Sequence, residues 1–257
     1  MAARRHRPAG FTLIELLVVI AILALLVAIM SPALNSAMAR VNSAICASSL
    51  RQLNLALRQY LEQNERMLWD DSKENRWNPS GRWFSERILP NIGGQSKTLL
   101  CPTADGFNTD PWSWGSATTV WGGPGTEGWW MGGHYGSYGM NIWLTDIRAM
   151  GWTGGFHGRP STSRTSPDGI PVLADCVWTG SWPRTTDLPP YDLRQGATPA
   201  VPFTERYHGI ARHCVDRHDM AVNVAFLDGR TQRVRLAELW QLNWSPEFQP
   251  RYDISLD

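Results

Sequence analysis

The hydrophobic pattern divides the chain into parts with different periods. From Phe11 to Met30 it is almost unbroken hydrocarbon, with only Thr12 and Glu15 polar. A helix of this length spans roughly 30 Å, the thickness of a bilayer core. Beyond it the pattern becomes helical and amphipathic. Leu34, Met38, Val41 and Ile45 form one stripe, and Leu50, Leu53, Leu57 and Tyr60/Leu61 form a second, slightly rotated one. Both are expected to pack on a folded domain. Pro32 lacks an amide donor and is expected to kink or loosen the helix.

After Asn64 the texture is irregular. "WFSERILPNI" reads as a short helix, and "TLLCPTAD" as a short buried strand or turn. The Gly- and Trp-rich stretch 106–170 reads mostly as loops, ending in a strand or helical turn near Met140 to Leu144. "GIPVLADCVW" is a continuous apolar run between turn signals, hence a buried strand. Residues 179–212 read as loop. "AVNVAFLDGRTQRVRL" alternates around Asp228-Gly229, a strong hairpin signal. "LAELWQLNW" reads as a short closing helix.

Charge refines the reading of the N-terminus. Arg4, Arg5 and Arg7 precede the apolar run, so this flank is expected to stay cytoplasmic and the remainder to face outside the inner membrane. A cleaved secretory signal would have a shorter apolar core followed by small residues. Here the small residues Ala9 and Gly10 come before the run, and Ser31, Pro32 and Ala33 make a poor site after it. The net charge of +1 gives no case for a nucleic-acid partner.

Glu15 is the anomaly in the run. A carboxylate at membrane depth is costly and calls for a partner. No basic residue follows before Arg40. Cutting the chain between Gly10 and Phe11 would create an amine four residues before Glu15. That amine could pair with Glu15 of the same or a neighbouring subunit.

"GFTLIELLVVIAILALL" resembles the prepilin-type cleavage and methylation segment of type IV pilins and type II secretion pseudopilins. The resemblance implies that a prepilin peptidase cuts after Gly10 and N-methylates Phe11. It further implies that Glu15 guides assembly with other pilin-like subunits. "NSAICASSLRQLNLALRQYLEQN" resembles the early soluble helix of that family.

A second resemblance lies near the C-terminus. His218 is followed by nine residues and then Asp228-Gly229, similar to the prepilin-associated H-X9-DG domain. "CASSLRQLNLAL", "LLCPTA", "SYGMNIWL", "VLADCVW" and "LWQLNWSPEF" fit the same pattern. Arg230 stands where that family usually has a histidine. On the residues alone, Asp228 is expected to shape the turn, and His218 to cap or hydrogen-bond the loop before the strand.

Candidate chemistry adds little at this level. His208, His213 and His218 recur at five-residue spacing, which is neither a helical face nor a recognised metal motif. Asp105 and Asp110 share a loop, but without the spacing of a calcium-binding EF-hand. The sequence therefore predicts no catalytic site, cofactor or metal. The four cysteines, Cys46, Cys101, Cys176 and Cys214, are candidates for two disulfides, with Cys46–Cys101 and Cys176–Cys214 as one pairing and buried free thiols as the alternative. The fourteen tryptophans suggest loop anchors, or a glycan-binding face if Trp112, Trp114, Trp121, Trp129 and Trp130 are exposed together.

The resulting expectation is an α+β, pilin-like protein. It has a leader (1–10), a transmembrane part of a long helix (11–31), a soluble amphipathic part (32–64) and a head (65–257). The head contains a small antiparallel sheet, long irregular loops and the motif at 218–229. The implied role is a structural filament subunit, anchored in inner-membrane lipid before assembly, with the head in the periplasm. The alternative is a membrane-tethered glycan- or surface-binding protein.

Overall fold

The computed structural model describes residues 12–64, 87–92, 96–107, 114–123, 135–146, 154–159, 169–196 and 209–256. The cleavage residues Gly10 and Phe11 lie outside them, as do Asp110, Trp112, Trp129, Trp130 and His208. Two compact units are present, Met1–Arg40 and Val41–Asp257.

One helix, α1 (Leu13–Gln63), continues through Pro32. In the first unit its large apolar side chains are exposed, from Leu13 to Met38. The helix is long and apolar enough to cross a membrane. The first predicted stripe is therefore a correction: Leu34, Met38, Val41 and Ile45 are all solvent-facing rather than packed. Burial begins at Cys46 and continues with Ser49, Leu50, Leu53, Asn54, Ala56 and Leu57. The second stripe thus packs as its spacing predicts.

The second unit is built on a five-stranded mixed sheet. Its strands are β3 (Tyr138–Asn141), β4 (Pro171–Asp175), β5 (Gly180–Ser181), β6 (Ala221–Phe226) and β7 (Thr231–Arg235), in the spatial order β5-β3-β4-β6-β7. β1 (Trp121–Gly122) and β2 (Tyr135–Gly136) form a separate antiparallel pair. Within the larger sheet only β3 and β5 pair in parallel. The chain reverses after Asp175 and passes to the far side of β3, so β5 must run with β3. This short strand lies inside the segment expected to be loop.

The predicted hairpin is β6–β7. Its turn is the four-residue connection Leu227-Asp228-Gly229-Arg230, with Gly229 at φ +99°. The Gly229 amide donates to Phe226 O (2.9 Å), and Asp228 Oδ1 accepts from the Arg230 amide (2.9 Å). Asp228 therefore shapes the turn. The closing helix is a 3-10 turn, Leu236–Gln241. Near Met140 both alternatives occur in succession: β3 and then a 3-10 turn, Ile142–Leu144. Residues Leu89–Ile92 also form a 3-10 turn, and "TLLCPTAD" is a turn closed by a Cys101–Ala104 bridge.

β6 is buried along its whole length, because its two faces enter two different apolar clusters. Ala225 joins Leu50, Leu53 and Leu57 of α1 with Trp121, Tyr138 and Met140. Val222, Val224 and Phe226 pack with Ile210, Leu239, Trp240 and Trp244. Two polar contacts fix α1 of this unit to β6. Asn54 Nδ2 donates to Phe226 O (2.7 Å), and Asn223 Nδ2 donates to Ser43 O (3.1 Å).

Candidate functional sites: a helix start and a buried thiol cluster

Glu15 has a local role at the start of α1. The Thr12 amide and Thr12 Oγ1 both donate to Glu15 Oε2 at 2.8 Å, and the Glu15 amide donates to Thr12 Oγ1 at 3.2 Å. This is a reciprocal capping box, which satisfies helix-start donors that otherwise need water. The Thr-x-x-Glu signature was present in the sequence, beside the stronger signal of the apolar run.

The second site lies in the Val41–Asp257 unit. Cys46, Cys101, Asp175 and His218 each present one ligand atom, and all four atoms lie within 4.8 Å of one another. All four residues are buried. His218 Nε2 is 3.4 Å from Cys101 Sγ and 3.3 Å from Asp175 Oδ2. Cys46 Sγ is 3.5 Å from Asp175 Oδ2.

Each residue is held there by a different part of the fold. Cys46 opens the buried stretch of α1. Cys101 sits in a turn tied to the β2–β3 region: the Ser137 amide donates to Leu99 O (2.8 Å) and Ser137 Oγ donates to Ala104 O (2.7 Å). Asp175 ends β4. His218 precedes β6 at a tight turn in which Asp219 and Met220 adopt positive φ, 58° and 54°. Met is an uncommon residue in that conformation. Asp216 Oδ1 accepts from the Met220 amide (2.7 Å), and the Arg233 guanidinium donates to the carbonyls of His218 and Asp219.

The Arg217 guanidinium closes one side of the cluster. It donates to the carbonyls of Ser116, Ser137 and Cys176 and lies 3.3 Å from Asp175 Oδ1. Asp175 Oδ2 also accepts from the Asn223 amide at 2.8 Å. Burial would raise the Asp175 carboxyl, but the charges of His218 and Arg217 and the Asn223 amide hold it below the usual range. Burial disfavours the His218 imidazolium, yet Asp175 outweighs it and lifts the ring to about 10. The thiols share protons unequally. A hydrogen bond from Cys46 lowers Cys101 to about 6, while burial and that same bond push Cys46 well up.

The arrangement differs from a nucleophile–base–carboxylate relay. There the carboxylate addresses the ring nitrogen opposite the nucleophile. Here Cys101 and Asp175 both address Nε2, and the buried Nδ1 has no hydrogen-bond partner among the described residues.

The disulfide expectation is corrected. All four cysteines are buried free thiols. Cys46 and Cys101 do come together, but inside this cluster. Cys214 packs in the second apolar cluster, whereas Cys176 faces Gly139 on β3. Burial raises both, Cys176 to about 12. His213 is not part of the cluster. It bonds Ser181 Oγ (2.7 Å) and Asp175 O (2.9 Å) and stacks on Trp244, and its burial lowers the ring to about 4. Of the tryptophans proposed as an exposed face, Trp114 and Trp121 are buried. Sequence reasoning missed Asp175 and Arg217. The available signal was one carboxylate inside an apolar strand, which has to find a partner.

Comparison with known proteins bears on the first site. Residues 5–31 match the family model described as the prokaryotic N-terminal methylation motif. The chain carries a prepilin-type methylation segment. That segment ends within the exposed apolar part of α1, and its acidic position is the capping Glu15. No curated protein and no solved structure matches the chain.

The motif and the helix together indicate a type IV pilin- or pseudopilin-like protein. Among the described residues, one helix is long and apolar enough to cross a membrane, which is consistent with membrane anchoring of such a protein. Prepilin peptidase and pilin-like subunits are the partners that the motif implies.

Proposed function

We propose that this protein is a structural subunit of a type II secretion-like or related envelope filament. It is held in the inner membrane by α1, with its N-terminus cytoplasmic and its head in the periplasm. A prepilin peptidase cuts between Gly10 and Phe11 and methylates the new amine. Apolar helices then leave lipid and pack laterally, with Glu15 setting register. The role is structural and not enzymatic.

The observation that carries this reading is the methylation motif at 5–31, set on a helix whose apolar residues are uncovered from Leu13 to Met38. A helix of this kind needs lipid or other helices around it. The spacing of His218 from Asp228-Gly229 adds the H-X9-DG resemblance, which points to the same class of protein.

The test is intact mass and N-terminal sequencing of the protein, taken from its native membrane or co-expressed with a cognate prepilin peptidase. A chain beginning at N-methylated Phe11 is expected. A chain that retains Met1, or that begins beyond Ser31, would overturn the proposal.

A further inference from the structure

Cys46, Cys101, Asp175 and His218 come from four separate segments, yet their ligand atoms converge on one small volume. Hydrogen bonding alone accounts for this poorly. Among the described residues, Nε2 of His218 has two polar neighbours and Nδ1 has no hydrogen-bond partner. Two thiols, a carboxylate and an imidazole aimed at one point are a recognised donor set for zinc.

Three of the six edges match those of a tetrahedral site. With zinc bonds of about 2.3 Å to sulfur and about 2.0–2.1 Å to nitrogen and oxygen, the edges should be about 3.4 Å for N–O and about 3.6 Å for S–N and S–O. The corresponding separations are 3.3 Å (His218 to Asp175), 3.4 Å (Cys101 to His218) and 3.5 Å (Cys46 to Asp175). The remaining three separations lie within 4.8 Å, so on binding the ligand atoms would draw in by up to about an ångström.

Charge also balances. A divalent zinc would displace the protons of the two thiols. The ion, two thiolates, the Asp175 carboxylate and the Arg217 guanidinium then sum to zero around a neutral His218. Arg217 and the Asn223 amide already hold the carboxylate from outside, as outer partners of metal ligands do. The Nδ1–H of a zinc-bound His218 would lack an acceptor among the described residues, a cost the metal bond has to cover.

We propose that these four residues bind one zinc ion in a closed structural site. The site ties α1, through Cys46, to the Cys101 turn, to the end of β4 and to the entry of β6. Four protein ligands and full burial leave no open position, which marks a structural rather than a catalytic centre.

The test is metal analysis of the full chain, purified in detergent under anaerobic conditions without chelator and then supplied with zinc sulfate. About one zinc per chain is expected. The Cys46→Ser/Cys101→Ser double variant should lose it, and Cys214→Ala should keep it. If the double variant fails to fold, cobalt(II) exchange into the wild-type chain decides, because tetrahedral thiolate ligation gives charge-transfer absorption and intense visible bands. Folded wild-type chain without stoichiometric zinc would overturn the proposal. So would a Cys46–Cys101 disulfide in the metal-free protein, zinc retained by the double variant, or a cobalt spectrum lacking the thiolate band.

Discussion

Nε2 of His218 lies 3.4 Å from Sγ of Cys101, across 117 positions of sequence. The contact depends on two local devices. One is the left-handed turn at Asp219-Met220, which sets His218 at the head of β6. The other is the Cys101–Ala104 turn, pinned by Ser137. Between them stands Asp175, whose two oxygens answer to different partners, Arg217 on one and His218 with the Asn223 amide on the other.

Two variants separate the capping role of Glu15 from its proposed role in assembly. Thr12→Ala removes the reciprocal cap, at a local cost of about 1 kcal/mol, and keeps the carboxylate. Glu15→Ala removes the carboxylate and its half of the cap, and leaves the residue-15 amide on Thr12 Oγ1. Glu15→Ala is expected to stop incorporation into filaments while leaving the head folded, whereas Thr12→Ala assembles. Shear fractions and protease resistance of the head provide the two readouts. Equal loss in both variants would reduce Glu15 to a capping residue.

Arg217→Met should be strongly destabilising. It removes the donor to three buried carbonyls and leaves the buried Asp175 carboxylate short of a counter-charge. Breaking a buried pair from one side costs about 3–5 kcal/mol. Thermal or denaturant unfolding of the detergent-solubilised chain would register this as a large fall in midpoint. A change within error would mean that Asp175 is compensated elsewhere.

Asn54 is 1% exposed and sits among leucines of α1. Its amide gives Phe226 O a second hydrogen bond beside that from the Gly229 amide, so Asn54→Ala removes one of the two bonds at the end of β6. The expected loss is about 0.5–1.5 kcal/mol. Hydrogen exchange should show faster opening at the β6–β7 end first. Uniform protection across the sheet would contradict that role.

Gly229→Ala tests the hairpin. At φ +99° an L-residue is strained, and the added carbon would meet Arg58 Nη1 at 2.5 Å. The Arg58 side chain can swing aside, but the backbone conformation cannot change without opening the turn. A loss of about 1–2 kcal/mol is expected. A Gly229→Asn variant should recover part of it, since Asn tolerates this region better. Equal stability of all three forms, measured by chemical denaturation, would show that the turn relaxes.

Local signals in the sequence were sufficient for the elements that depend on period and turn chemistry. The apolar run, the stripe at Leu50, Leu53 and Leu57, the β4 strand and the Asp-Gly hairpin all follow from spacing within a short window. The stripe at Leu34 to Ile45 shows the limit of that approach. Its spacing is helical, but spacing says only that a face exists, not that a partner covers it. β5 was missed because a two-residue strand has no period to detect.

The sequence by itself determined the N-terminal segment, because the methylation motif and the long apolar run are made of contiguous residues. It also determined which strands and turns were available to the head. Only the tertiary structure decided that Cys46, Cys101, Asp175 and His218 meet. Each lies in an unremarkable context: a thiol in a helix, a thiol in a turn, an acid in a strand and a histidine before a strand. Their proximity comes from the packing of α1 on β6, the pairing of β4 between β3 and β6, and the Ser137 anchor of the Cys101 turn. Those contacts cross long stretches of chain, and no spacing along the sequence encodes them.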